Sequence, residues 1–276
     1  MRKIRYPLII SDFDGTLLRS DCMISERTRM AIEDYQRAGG KFAVCTGRPM
    51  NSILPRVKEL GLKGLVSCFQ GSVVVDIESG EFVVDGAISQ NGALEICQFL
   101  ETLDMHIHVY SLEGYYANKE NALLRRYEEL SGVKAKVVAN MPLSQYIRLQ
   151  NIVVRKVLVL VDPEERDEIY QMVFDRFGAD YYVTSGASSV VEVIGKEYTK
   201  AMGIRCIANY YGVPVEKTVV AGDCLNDLPM LEAAGVGVAV KNAEDALKQL
   251  ADVVMPFTND EDAVAEIIEK FGYTEE

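Results

Sequence analysis

The stretch that most limits what this chain can become is Pro7-Leu8-Ile9-Ile10 running into Ser11-Asp12-Phe13-Asp14-Gly15-Thr16-Leu17-Leu18. A short apolar run that ends abruptly in polar residues and glycine reads as a buried parallel strand and its exit. Side chains alternate along a strand, so Asp12 and Asp14 are expected to leave it on one side. Two carboxylates then stand together at the carboxyl end of a buried strand, where open α/β sheets bind their ligands. Like charges that close repel, and a divalent metal is the simplest remedy. An isolated Asp-Gly is more often an ordinary turn, so the other strand ends must decide between turn and site.

The 276 residues suffice for one large domain or two moderate ones. Ser25 is expected to cap a helix that stops at Gly39-Gly40. Residues 41–45 read as a strand ending in Thr46-Gly47-Arg48-Pro49. A helix follows to about residue 60, then a strand at 64–68 and a hairpin around Glu78-Ser79-Gly80. This start is a right-handed βαβ layout. From about residue 86 the pattern changes to helices at 93–103 and 119–130, alternating strands near 105–110 and 115–116, and a strong strand at 155–161. Pro163 is expected to open a helix, and 181–184 a strand. The α/β alternation is expected to resume with a strand at 190–194, a helix from Thr199, and a buried strand at 218–221 that ends in Gly222-Asp223-Cys224-Leu225-Asn226-Asp227. The expected fold is therefore α/β: a doubly wound, Rossmann-like, mainly parallel sheet core over 1–85 and 188–276. An α+β cap domain over 86–187 interrupts it, and a cap inserted at the sheet's carboxyl edge would act as a lid.

The polar loops after the core strands supply carboxylates at Asp12, Asp14, Asp223 and Asp227, a hydroxyl at Thr46, an amide at Asn226 and an ammonium at Lys200. All can converge on one crevice. An oxygen-rich acidic set suits a hard cation, Mg²⁺ above all. Metal, ammonium and hydroxyl together suit a phosphoryl group. One Asp can serve as nucleophile and another as acid and then base. No phosphate-binding G-x-x-x-x-G-K-[ST] and no G-x-G-x-x-G after the first strand occur, which argues against nucleotide cradling of those kinds. His106 and His108 alternate on a probable strand of the middle section and read as surface or structural residues. Net charge is −12, which disfavours nucleic acid and anionic membrane as partners. The apolar run before Ser11 is only the four residues Pro7-Leu8-Ile9-Ile10, so no signal peptide is expected, and no run is long enough for a membrane span. The six cysteines form no C-x-x-C pair and read as reduced thiols of a cytoplasmic protein.

The ordered set D-F-D-G-T-L-L, C-T-G-R, a Lys before a helix, and G-D-x-x-N-D resembles the four motifs of the haloacid dehalogenase (HAD) superfamily, across essentially the whole chain. The insert and the tail segments Lys241-Asn242-Ala243 and Ala251-Asp252-Val253-Val254 resemble the Cof-type phosphatases with a type IIB α/β cap. The resemblance implies that Asp12 is the nucleophile and Asp14 the acid/base. It implies that Thr46 and the Gly47 backbone hold the phosphoryl group, and that Lys200 stabilises the nucleophile and that group. Asp223 would bind Mg²⁺ with the Asp12 carboxylate and the Asp14 backbone carbonyl. Asn226 would reach the phosphoryl group or orient its neighbours. Asp227 would touch the metal or stand behind a ligand, with a helix N-cap as the other reading. Arg48 stays open between a phosphate contact and a salt bridge, and Lys196 competes with Lys200 for the lysine's place. Gln70-Gly71-Ser72 departs from the family's frequent Asn-Gly-Ala.

The expected activity is Mg²⁺-dependent hydrolysis of a small phosphorylated metabolite through an aspartyl-phosphate, with a phosphosugar mutase as the alternative. The turn from Tyr115 to Lys119 is a candidate specificity loop or a structural hairpin. A signalling receiver shares the Asp cluster, Thr and Lys, but receivers are shorter and carry no inserted cap.

Overall fold

The computed structural model of the chain describes residues 2–186 and 188–274. The first elements are β1 (Leu8–Ser11), α1 (Glu26–Arg37), β2 (Lys41–Cys45), α2 (Met50–Glu59), β3 (Leu65–Cys68), β4 (Val73–Asp76) and β5 (Phe82–Asp85). The middle of the chain forms α3 (Gln90–Thr102), β6 (His106–Tyr110), β7 (Tyr115–Ala117), α4 (Ala122–Ser131), β8 (Lys136–Val137), α5 (Leu143–Gln150), β9 (Lys156–Leu160), α6 (Arg166–Phe177), β10 (Tyr181–Thr184) and β11 (Val190–Gly195). The chain closes with α7 (Lys200–Tyr210), β12 (Thr218–Gly222), α8 (Leu228–Ala233), β13 (Val236–Ala239), α9 (Asp245–Leu250), β14 (Val253–Val254) and α10 (Ala263–Phe271). These elements group into two compact units. One comprises Met1–Gly47, Leu54–Asp85 and Thr199–Glu276, and the other Arg48–Ile53 and Gly86–Tyr198.

Among the described residues, the first unit holds an eight-stranded sheet in the order β14-β13-β12-β1-β2-β3-β4-β5. Strands β14 to β3 run parallel, and β4 and β5 add an antiparallel edge. All four residues of β1 are buried, so both faces of the sheet are covered there, as βαβ crossovers require. Ile9 lies between Val219 of β12 and Phe42 of β2. α1 packs beside α10, and α7 beside α8. Helix starts follow local chemistry. Ser25 accepts from the Thr28 N–H to cap α1, and Thr199 accepts from the Met202 N–H to cap α7.

The second unit's sheet, in the order β10-β11-β9-β6-β7-β8, is antiparallel except for the β7–β8 pair. Alternation splits β6 by face. Ile107 and Val109 join the apolar core with Val157, Val159, Val191 and Val193, against Ile96, Leu100, Ile147 and Phe177 of the helices. His106, His108 and Tyr110 point the other way and are also buried. There Lys156 Nζ donates to Glu192 Oε1 at 2.5 Å, and the Tyr110 and Tyr127 hydroxyls share a 2.6 Å hydrogen bond. The two histidines are therefore structural rather than surface residues.

The fold departs from the sequence expectation at several places. Residues 190–194 do not rejoin the parallel sheet. As β11 they pair antiparallel with β9 and β10, and the second unit runs on to Tyr198. A continuous apolar run buried on both faces reads alike in either sheet, so composition could not assign it. Pro163 lies in a turn, and α6 begins at Arg166. The segment from Tyr115 is strand β7, and Asn118 ties it to its neighbour. The Asn118 side chain accepts from the Ile107 N–H at 2.8 Å and donates to the Met105 carbonyl at 2.9 Å, as a structural hairpin would. Helix α5 and the short β8 were not anticipated. The cysteines are free, but Cys22 is exposed rather than in a core. No helix among the described residues is long and apolar enough to cross a membrane.

Candidate active site

Three adjacent parallel strands, β12, β1 and β2, end together. The Asp12 N–H donates to the Ala221 carbonyl at 2.8 Å, which carries the ladder one residue beyond β1. Asp12 is 6% exposed. From the start of α7, Lys200 (2% exposed) reaches Asp12 Oδ1 and Asp227 Oδ1 with its ammonium, both at 2.5 Å. Asp227 is fully buried. Its Oδ2 accepts from the backbone N–H groups of Asp223 at 2.9 Å and Cys224 at 3.0 Å. This return is possible because residue 222 is glycine: a Cβ there would lie 2.5 Å from the Asp227 side chain. Asp227 thus closes its own loop and pairs with Lys200, and its side chain does not cap α8.

Asp223 is held by the loop that follows β1. Thr16 Oγ1 donates to Asp223 Oδ1 at 2.8 Å, and Cys224 Sγ to Oδ2 at 3.2 Å. Gly15 has φ of +72°, and a Cβ on it would stand 2.4 Å from Asp223 Oδ2. Only glycine satisfies both the left-handed backbone and the close approach. Asn242 Nδ2 pins this turn by donating to the Gly15 carbonyl at 2.7 Å.

The carboxylate oxygens of Asp12, Asp223 and Asp227 lie within 4.8 Å of one another. Asp14 is not in that cluster. It is exposed, because β1 ends at Ser11 and the chain turns at Gly15 before strand alternation can pair the two acids. Thr46 is buried; its N–H donates to the Ser67 carbonyl at 2.8 Å, and its carbonyl accepts from the Gln70 N–H at 3.1 Å. Asn226 is half-buried and donates through Nδ2 to Gln70 Oε1 at 3.4 Å. Gly47 lies against the same Gln70 amide. Arg48 falls in the second unit, where its guanidinium donates to the Ser52 hydroxyl at 3.3 Å. Lys196 is also in the second unit and donates to the Gly178 and Ala179 carbonyls, so Lys200 alone of the two lysines meets the acids. Thr16 and Gln70 are contacts the sequence reading missed. Thr16 stands inside the first motif and Gln70 in the stretch that departs from the family's Asn-Gly-Ala, but neither position by itself says that its side chain meets Asp223 or Asn226.

Electrostatics follow from burial. Desolvation raises the Asp12 carboxyl well above the usual carboxylate range, Lys200 opposes this, and Asp227 and Asp223 reinforce it. Burial also lifts Asp223 to about 6, with Asp227 adding to it and the Thr16 hydrogen bond working against it. Burial disfavours the Lys200 ammonium, but Asp12 and Asp227 outweigh that and hold it well above its ordinary value. Among the described residues, the Lys200 ammonium meets two of these three carboxylates, which leaves the dehydrated site rich in acids. Oxygen donors with an excess of negative charge fit a hard metal cation.

A family model described as haloacid dehalogenase-like hydrolase matches residues 9–268. A relative from Bacillus subtilis (strain 168), named 5-amino-6-(5-phospho-D-ribitylamino)uracil phosphatase YitU, is 29% identical over 281 residues, covering 96% of this chain and 97% of the relative. The X-ray structure of TM0651 from Thermotoga maritima matches with a TM-score of 0.83 at 28% identity, covering 98% of each chain. A haloacid dehalogenase-like hydrolase from B. subtilis matches with a TM-score of 0.84 at 26% identity, covering 95% of this chain and 99% of that one.

Proposed function

Because this chain belongs to the haloacid dehalogenase-like hydrolases, we propose that it is a Mg²⁺-dependent phosphatase that hydrolyses a small phosphomonoester through an aspartyl-phosphate on Asp12. The observation that carries this reading is the 2.5 Å contact of Lys200 Nζ with Asp12 Oδ1 inside the carboxylate cluster. An ammonium there favours the ionised form of Asp12 against its burial and orients one oxygen, which leaves the other as the nucleophile.

The Asp12 and Asp223 carboxylates and the Asp14 backbone carbonyl are the groups assigned to hold Mg²⁺. When bound, the ion supplies positive charge to phosphoryl oxygens that Asp12 would otherwise repel. Asp227 spends one oxygen on Lys200 and the other on its own loop, so its task is to brace the site. In the first step Asp12 forms a bond to phosphorus while the ester P–O bond breaks, and Asp14, exposed at the site's edge, gives its proton to the departing oxygen. In the second step Asp14 takes a proton from water, and the water oxygen displaces Asp12 from phosphorus. Thr46 and the Gly47 backbone, with Asn226, hold the phosphoryl oxygens, and Lys200 balances their charge. The relative named for a phosphorylated ribitylaminouracil makes small polar metabolite phosphates the class to try.

The test is a screen of phosphorylated metabolites and an activated aryl phosphate, with and without Mg²⁺, in which free phosphate is measured. Metal-dependent phosphate release supports the reading. No release from any ester, or an isomerised sugar phosphate without release, sinks it.

A further inference from the structure

The turn between β3 and β4 has no task in the chemistry above, yet its backbone is costly. Phe69, Gln70 and Gly71 have φ of +50°, +58° and +107°. Two consecutive non-glycine residues in the left-handed region are strained, and such strain persists only where the surroundings over-determine it. Here they do. A Cβ on Gly71 would stand 2.1 Å from the Thr199 carbonyl, so the turn is seated on the residue that caps α7. Gln70 is 2% exposed. Its N–H donates to the Thr46 carbonyl at 3.1 Å. Its Nε2 lies over Gly47, 2.4 Å from where a Cβ on that residue would be. Its Oε1 accepts from Asn226 Nδ2 at 3.4 Å.

One side chain therefore touches two of the groups assigned to the phosphoryl oxygens. The two ends of a carboxamide are chemically opposite, and flipping Asn226 would turn its acceptor toward Gln70 Oε1. The buried Asn226 Oδ1 has no hydrogen-bond partner among the described residues, so no bond from them at that end holds the amide's orientation. The contact with Gln70 Oε1 takes one Nδ2 hydrogen and leaves the second for an anionic oxygen. On the basis of the phosphatase reading, we propose that Gln70 is a positioning residue for the phosphoryl group. It sets the flip of the Asn226 amide and braces Gly47, so that both face the ligand as donors.

The probe is inorganic phosphate, the product, measured as an inhibitor of aryl phosphate hydrolysis by the full chain with Mg²⁺. Gln70→Met keeps roughly the side-chain volume and loses the amide; Gln70→Ala is the second variant in case Met does not fold, with thermal melting as the check on folding. The loss of a donor to a charged group is expected to raise the phosphate inhibition constant and KM roughly tenfold, while kcat changes less. Asn226→Ala is expected to show a similar rise. The decisive reading is the double variant: if Gln70 acts through Asn226, adding Gln70→Met to Asn226→Ala changes the inhibition constant by less than about twofold. A merely structural role would multiply the two effects and would overturn the proposal. So would a Gln70→Met enzyme that binds phosphate as the wild type does. A wild-type chain that neither hydrolyses the ester nor binds phosphate would bring down the phosphatase reading itself, and this inference with it.

Discussion

Asp12 and Asp14 lie two residues apart and meet opposite surroundings. Asp12 is sealed against Lys200 and two further acids, whereas Asp14 is exposed beyond the turn at Gly15. Their substitutions should separate accordingly. Asp12→Asn keeps the shape but replaces the nucleophile with an amide, and turnover of every ester is expected to fall by roughly 10³-fold or more. Full activity in that variant would refute the covalent route. Asp14→Asn is expected to cost about 10²-fold or more for an alkyl phosphate and far less for an aryl phosphate, whose leaving oxygen needs no proton. Comparing kcat on the two esters checks it, and an equal loss on both would contradict the role. The acids, Thr46, Lys200 and Asn226 were legible as residues because each stands at the end of an apolar run or the start of a helix. Gln70 stands out in the sequence only as a departure from the family's Asn-Gly-Ala, because its importance comes from which loops its amide touches.

At the scale of elements, helix α7 carries Lys200 at its first residue, so the cap decides where the ammonium sits. Thr199→Ala removes the hydroxyl that accepts from the Met202 N–H. A lost N-cap costs about 1 kcal/mol, or about 2–4 °C in melting temperature for a chain of this size. A fall in kcat should accompany it, with Thr199→Ser restoring both; a variant that melts and turns over like the wild type would separate the cap from the site. Strand β6 makes a second prediction. Burial lowers His106 to about 4, and it also holds His108 well below its ordinary value with help from His106 and Lys156. Above about pH 6.5 these histidines are neutral both folded and unfolded. Below it the unfolded chain takes up protons that the folded strand refuses, so stability falls from about pH 6.5 down to about 4. Denaturant midpoints across that range check the slope, and His108→Gln should flatten it. An unchanged slope would place the titration elsewhere.

For the whole molecule, a cation held by the carboxylate cluster would make folding and metal binding one equilibrium. A cation that binds only the folded chain raises stability by about 2.7 kcal/mol when present at about a hundred times its dissociation constant. Millimolar Mg²⁺ is therefore expected to raise the melting temperature of the wild type, chelation to reverse it, and Asp223→Asn to abolish the rise. Melting that ignores the metal in the wild type would remove the cation from the site. The alternation of strands and helices before residue 86 and after Thr199 announced the parallel sheet. The middle section announced an α+β unit but not its end or all its elements, because β11 is as apolar as a core strand and α5 is short.

By itself, the sequence determined the α/β class, the order of the core strands' polar exits and the chemical inventory at them. These depend on local matters: apolar runs, glycine turns and helix caps act within a few residues. Only the tertiary structure decided which carboxylates share a site, which lysine meets them and which sheet takes residues 190–195. It also decided that Gln70 joins Gly47 to Asn226. Those outcomes depend on strand order and on turns with φ near +60°, which bring together groups as far apart in sequence as Asp12 and Asp227. Proximity of that kind is a property of packing, and no local pattern of residues encodes it.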